Sequence, residues 1–206
     1  MPYGYLGTQP NQTVKNTGVL SVTEAAELQS QGKLGGSLEL IEEQTVTSGT
    51  TVDFTDLKNY DVHFLQISNV TFSGTDTPFI RLSNDGGSTF ISTSTYQHAF
   101  NRGTTAGSFF DAKSTGFHSM HLGLLSASTP NNLNAYFYFY NLLDSSKYSF
   151  MTGQAFSSAG ADQRYTFGGS VLPTAETHNA IRFFQSPETF TSGNFKLYGV
   201  KQIWVT

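Results

Sequence analysis

The stretch Asn134-Ala135-Tyr136-Phe137-Tyr138-Phe139-Tyr140 alternates two kinds of aromatic residue with a period of two. Successive side chains of a β-strand point to opposite faces. The run therefore fits a strand with a dry phenylalanine face and a wetter tyrosine face, its hydroxyls turned outward. A helix would scatter both kinds around its circumference. The same period holds from residue 37 onward. Val52 and Phe54 alternate, as do Tyr60, Val62 and Phe64. Leu65 and Ile67 then continue on the other face, which places a bulge or twist near 64–65. Further short runs lie at 79–82, 118–124, 148–150, 164–167, 179–184 and 195–200. Asn84-Asp85-Gly86-Gly87 sits between two β-prone runs and predicts a tight hairpin turn there.

Between the runs lie loops rich in Gly, Ser, Thr, Asn and Pro, at 101–116, 126–134, 153–163, 168–178 and 185–194. Nine or ten strands at such spacing predict an all-β, antiparallel two-sheet sandwich. Loops of about a dozen residues suit jelly-roll-like crossings better than an up-and-down barrel. No fixed-period repeat points to a propeller or β-helix.

Residues 1–36 read differently. They are polar and lack the alternation, so they predict an extended N-terminal arm joined to a 37–206 domain at Gly35-Gly36. Within the arm, Ser21 followed by Glu24 is a capping-box pattern, and Gly32 is a natural helix stop. One short helix is expected over about 21–31. At three turns it needs a surface to pack on. The apolar residues available for anchoring are Tyr5, Leu6, Val14, Val19, Leu20, Val22 and Leu28.

Composition narrows the function classes. Only 13% of the 206 residues are charged, against about 25% in an average domain. Eleven Lys and Arg against 15 Asp and Glu give a net charge of −4, so no basic surface for nucleic acid is expected. No apolar run is long enough to span a membrane as a helix, and the first residues lack a signal-peptide pattern. The chain has no Cys, which excludes cysteine-ligated metal centres and disulfides.

Motifs for chemistry are sparse. His63, His98, His118, His121 and His178 are scattered. His118 and His121 sit three apart on an expected strand, so they would face opposite ways and could not chelate one ion. No metal and no cofactor is expected. There is no G-x-S-x-G elbow and no phosphate-binding glycine loop. Asp53, Asp56, Asp61 and Asp85 show no spacing that selects a glycosidase pair. The chain is thus expected not to be an enzyme and to have no catalytic residues. Tyr136, Tyr138 and Tyr140 remain as candidates. They would either stack on sugar rings or form part of an interface with another subunit, the second being favoured.

The C-terminal segment carries a resemblance. Ile181-Arg182-Phe183-Phe184-Gln185-Ser186 is followed by Phe195-Lys196-Leu197-Tyr198-Gly199-Val200-Lys201. This resembles the closing strand pair of jelly-roll structural proteins in tailed-phage virions. Leu82 to Phe90, with Tyr96, is similar to the early hairpin of that family. Tyr5-Leu6-Gly7-Thr8-Gln9-Pro10 is similar to N-terminal segments of phage fibre and appendage proteins. The resemblance implies a non-enzymatic homotrimer on the virion exterior, in a tail fibre, baseplate, head fibre or capsid decoration. It implies attachment to another virion protein through the arm and contact with a host-surface glycan. The alternative is a carbohydrate-binding module or adhesin. On either reading, the low charge marks surfaces shared with other molecules.

Overall fold

A computed structural model describes residues 21–23, 26–27, 37–121, 123, 132–159 and 162–201. The chain divides into two units, 1–36 and 37–206. In the first, Val22, Thr23, Ala26 and Glu27 are helical, inside the expected helix. Val22 is exposed. Tyr5, Leu6, Val14, Val19, Leu20 and Leu28 lie outside the described residues.

The second unit is an antiparallel β-sandwich with eleven strands among the described residues. They are β1 (Leu38–Val46), β2 (Thr51–Phe54), β3 (Val62–Phe72), β4 (Phe79–Ser83), β5 (Tyr96–Thr104) and β6 (Phe109–Phe117), then β7 (Leu133–Tyr140), β8 (Ser149–Ala159), β9 (Asp162–Leu172), β10 (Ala180–Phe184) and β11 (Phe190–Val200). The large sheet has eight strands in the order β1-β11-β3-β7-β8-β9-β5-β6, and the small sheet runs β2-β10-β4.

The pairing is nested. The first strand pairs with the last (β1 with β11), β2 with β10, and β3 with β7. Ile80 of β4 then bridges Met120, and β5 pairs with β6 innermost. A long hairpin rolled so that its rungs alternate between two sheets is the winding of a jelly roll. The β8–β9 hairpin lies outside this nesting and widens the large sheet.

The core fills the space between the sheets. Leu65, Ile67, Phe137, Phe139, Phe195 and Leu197 of the large sheet face Val52, Phe54, Ile80, Leu82, Ile181 and Phe183 of the small one, all with 1% exposure or less. Phe183 reaches across to Phe195 at 5.3 Å between ring centroids. Each such ring contributes about 2–3 kcal/mol through burial. Tyr96 is also fully buried. Its hydroxyl accepts the Leu82 N–H at 3.1 Å and donates to the Ile91 carbonyl at 3.1 Å. Burial pushes its pKa up to about 12.

One rung of the large sheet is unusual. Phe137 stands opposite Gly153, Gly153 opposite Gly168, and Gly168 opposite Phe100. A Cβ on Gly153 would lie 2.4 Å from the Tyr136 carbonyl and 2.6 Å from the Phe137 ring. One on Gly168 would lie 2.4 Å from the Ala99 carbonyl and 2.6 Å from the Phe100 Cα. Two glycines thus leave the space that two phenylalanines occupy.

Several expectations need correction. The face change near 64–65 is absent: His63, Leu65 and Ile67 point inward in regular register, and the irregularity falls between Ile67 and Val70, where Asn69 has φ of 54°. Residues 84–91 are not the turn of a tight hairpin. Gly86 and Gly87 do take positive φ. However, the Asp85 carboxylate accepts from Thr89 N–H, Thr89 Oγ1 and Ser83 Oγ, which holds a wide loop instead. Much of 101–116, 153–163 and 168–178 is strand. Residues 118–121 are a bend with a single bridge at Met120.

Two substitutions test this packing. Tyr96→Phe leaves the buried Leu82 N–H and the part-buried Ile91 C=O without this partner, so urea unfolding should show a loss of about 1–3 kcal/mol. Gly168→Ala forces backbone movement and should cost about 1–3 kcal/mol or more by the same measurement.

Candidate recognition face on the large sheet

The outward face of the eight-stranded sheet gathers most of the exposed apolar side chains. Its central row follows the register through all eight strands: Leu40, Tyr198, Phe64, Tyr138, Thr152, Gly169, Ala99 and Lys113. A parallel row runs Glu43, Lys196, Gln66, Tyr136, Gln154, Phe167, Asn101 and Asp111. On either flank lie Tyr140, Phe150 and Val171, and Asn134, Phe156, Tyr165 and Phe109.

These rows put the three predicted tyrosines side by side. Tyr136 is exposed, and Tyr138 and Tyr140 are half-buried because they pack on their neighbours. Phe64 lies 4.9 Å from Tyr138, 6.0 Å from Tyr198 and 6.1 Å from Tyr136 between centroids. The alternation that predicted Tyr outside and Phe inside on β7 holds residue by residue.

Sequence reasoning missed the other half of the face. Phe150, Phe156, Tyr165 and Phe167 are 39–50% exposed, and Phe109 is 89% exposed. β8 points Phe150, Thr152, Gln154 and Phe156 outward and Met151, Gly153, Ala155 and Ser157 inward. Apart from Met151 the inward set is small and mildly polar, so the strand does not stand out by apolar alternation. The usable signal was Phe150/Phe156 and Tyr165/Phe167 at even spacing.

The face is nearly free of charge. Glu43 and Lys196 sit at one side, 3.4 Å apart, and Asp111 and Lys113 at the other. The residues named on β3, β7, β8, β9 and β5 between them are uncharged. Thr152, Gly169 and Ala99 are small, so the central row dips. One hollow of about 310 Å³ is lined by Tyr136, Tyr138, Thr152, Gln154 and Phe167. A second of about 360 Å³ lies against Ala99, Lys113, Phe150, Gly169 and Val171.

The carboxylates Asp53, Asp56, Asp61, Asp85 and Asp144 and the buried histidines lie elsewhere. Asp53 pairs with Arg182 through two hydrogen bonds of 2.7 and 2.6 Å, and Asp56 pairs with Lys58. Hydrogen bonds from Thr89 hold Asp85 down at about 2. Asp61 lines a polar cavity of about 540 Å³ with Asp144. Lys147 and Ser146 hold the Asp144 carboxyl well below its usual range, the opposite of what a general acid needs. Ser149 Oγ lies 2.7 Å from His178 Nδ1, and His178 Nε2 lies 3.2 Å from Glu176 Oε1. That is the order of a nucleophile, base and acid. Ser149 and His178 are fully buried, however, so no substrate reaches the hydroxyl, and the trio ties β8 to the approach of β10.

The bend at 118–121 brings His118 and His121 together, contrary to the expectation of opposite faces. His118 and His121 both pack on the Phe79 ring, at 5.3 and 5.2 Å. His98 stands 5.0 Å from His121. No three His, Asp or Glu side chains converge as metal ligands among the described residues. Burial, then the nearby charges of His98, His118 and Arg102, push His121 down to about 4.

No protein-family profile, curated protein or solved structure matches the chain. The structure alone therefore defines the class, an all-β sandwich with jelly-roll winding.

The histidines predict a pH dependence. His121 is harder to protonate folded (about 4) than unfolded (6.5), so the unfolded chain takes up the proton first. Stability is full above pH 6.5 and falls as the pH drops toward 4. Urea midpoints should record a loss on the order of 2 kcal/mol by pH 5 from this group. Burial lowers His63, His98 and His178 in the same direction. His121→Phe should flatten the slope between pH 6.5 and 5.

Proposed function

We propose that this chain is a structural protein of a tailed-phage virion. It is a non-enzymatic homotrimer, anchored by residues 1–36 to a capsid or tail protein and displayed on the exterior. Its mechanism is association rather than chemistry. The observation that carries this reading is the uncharged, aromatic outward face of the large sheet. Contiguous exposed apolar surface of this kind marks a contact site. Charge depletion and aromatic enrichment are the signature of an interface centre. The jelly-roll winding and the residue pattern of 181–201 support the same class.

The hollow beside Tyr136, Tyr138 and Phe167 favours a second reading, recognition of an uncharged glycan on the host surface. Exposed rings would stack on sugar faces, while Gln154 and Thr152 offer hydrogen bonds. Nothing in that reading requires an enzyme, a cofactor, nucleic acid or membrane insertion.

The two readings separate in solution. Light scattering of the full chain should give about three times 22.5 kDa. Phe150→Ser combined with Phe167→Ser should weaken assembly, by roughly 30-fold or more if either side chain is a hot spot. Mass spectrometry of purified particles should find the chain. A lone monomer that is absent from particles refutes the proposal. A monomer that binds neutral glycans, and loses them with Tyr136→Ala and Tyr138→Ala, establishes the second reading instead.

A further inference from the structure

The outermost strands of the large sheet are β1 and β6. β1 is guarded by Glu39 and Glu43, which are paired with Lys201 and Lys196. β6 is different. Among the described residues it pairs with β5 alone. Phe109 is 89% exposed and Phe110 49%, on opposite faces of the strand. Asp111 and Lys113 are exposed on the outward face and stand in no ion pair among the described residues. The side to which each residue turns its main-chain groups follows from the hairpin. Thr104 N–H donates to the Ser108 carbonyl at 2.9 Å, and Thr105 N–H donates to the Gln163 carbonyl at 3.0 Å. Bonded and non-bonded pairs alternate along an antiparallel ladder, so even-numbered residues of β5 serve β6 and odd-numbered ones serve β9. The register then bonds Arg102 with Phe110, Phe100 with Ala112 and His98 with Ser114. Phe109, Asp111 and Lys113 aim their N–H and C=O groups at the open side. Free main-chain groups beside bare aromatic rings are a template for another strand.

The sequence of β6 selects that strand. Two identical strands paired antiparallel are related by a two-fold axis, so the residue on the axis fixes the whole register. With Ala112 on the axis, Asp111 of each copy stands directly opposite Lys113 of the other, on the same face. Opposite charges in such a cross-strand pair attract, and like charges repel. Registers centred on Asp111 or on Lys113 set like charges against each other. Ala112 meets its own counterpart in a non-bonded pair, the closest spacing in the ladder at about 4.5 Å between Cα atoms, which a small side chain fits. Phe110 falls opposite Ser114, and Phe109 falls diagonal to the Lys113 stem, so both exposed rings gain cover. The irregularity opposite Tyr96 and His98 ends the regular stretch of β6 after Ser114, which confines the pairing to this short segment.

We propose that β6 is a self-pairing edge: two copies of this chain join β6 to β6, antiparallel and centred on Ala112, into one continuous sheet. The contact is isologous and closes on itself. It lies at the rim of the large sheet and does not rest on the proposed virion role. A two-fold contact cannot close a trimer, so this edge adds a contact to the proposed homotrimer and does not replace its interface.

Disulfide trapping in the full chain tests the edge, because the chain has no Cys of its own. Under mild oxidation Ala112→Cys should link two copies, since the Cα atoms on the axis lie within disulfide reach. Ser114→Cys, whose counterpart stands four residues along the ladder, should not link. Each variant offers one thiol, so the product on a denaturing gel is a dimer whether or not the outward face builds a trimer. This keeps the test separate from the proposed function. Adding Asp111→Lys or Lys113→Asp to Ala112→Cys turns two attractive rungs into two repulsive ones and should lower the linking roughly tenfold or more. Adding both reversals together should restore it, which a loss of folding would not do. The proposal is overturned if Ala112→Cys stays unlinked, or if Ser114→Cys links equally well. It is overturned equally if the single reversals change nothing, or if the double reversal fails to rescue them. Linking of Ala112→Cys only to a different polypeptide in the producing cell gives the edge to a foreign strand and also overturns it.

Discussion

The large sheet depends on the rung in which Gly153 and Gly168 lie between Phe137 and Phe100. Phe137 belongs to the nested jelly-roll strands, and Phe100 to the innermost hairpin. Among the described residues, the β8–β9 hairpin links them in the sheet order. A side chain at either glycine would meet a neighbouring strand's backbone within 2.4 Å. Real Cβ atoms do not approach so closely, so the three parts of the sheet can join only where these positions are bare. Glycine in a strand weakens it through backbone entropy. Here the adjacent phenylalanines return that loss as ring packing, since the Phe137 ring covers Gly153.

That rung also explains why β8 and β9 look inverted. Most of their inward positions are small, Gly153, Ala155, Ser157, Gly168 and Ser170, with Met151, Thr166 and Leu172 the larger exceptions, while Phe150, Phe156, Tyr165 and Phe167 point out. In a free sandwich the large apolar residues belong inside. The inner space over these strands is already taken by Phe137 and Phe100, so small residues suffice there. The outward rings are only half covered, by their neighbours on the sheet. Burying the rest of them would take another molecule, which links the internal constraint to the proposed association.

Much of the fold was legible because the residues that announce strands also build the core. Val52/Phe54, Leu65/Ile67, Phe137/Phe139 and Ile181/Phe183 are both the periodic residues and the buried ones. The tyrosines of β7 were legible for the same reason, since each is the complement of a buried phenylalanine. What was not legible followed from the rung. Strands whose inward residues are mostly glycine, alanine and serine read as loops, so β6 and most of β8 and β9 were missed, and with them half of the candidate face; β1 and β5 were also missed, β5 because its inward Tyr96, His98 and Phe100 alternate with polar and small residues that run on into a Gly/Thr-rich stretch. The Asp85 loop was misread for a different reason. Asp-Gly-Gly specifies positive φ locally, but whether the chain then returns as a strand depends on where the Asp85 carboxylate finds donors. It finds them in Thr89 and Ser83, which open the loop.

Charge placement follows the same division of the molecule. The paired carboxylates lie at margins: Glu39 and Glu43 on the edge strand β1, Asp53 on the edge strand β2, and Asp56 and Asp144 in loops. A sheet edge left bare invites pairing with another strand, and charged side chains along it discourage that. β1 is such an edge, and its Glu39 and Glu43 meet Lys201 and Lys196 in a polar border. The centre of the same sheet carries uncharged rings. Growth by strand addition is thereby opposed at the edge, while face-to-face contact is left open. A low overall charge need not mean an indiscriminately sticky surface: in this domain the few charges stand where a wrong contact would begin, and the face left without them is the one suited to contact.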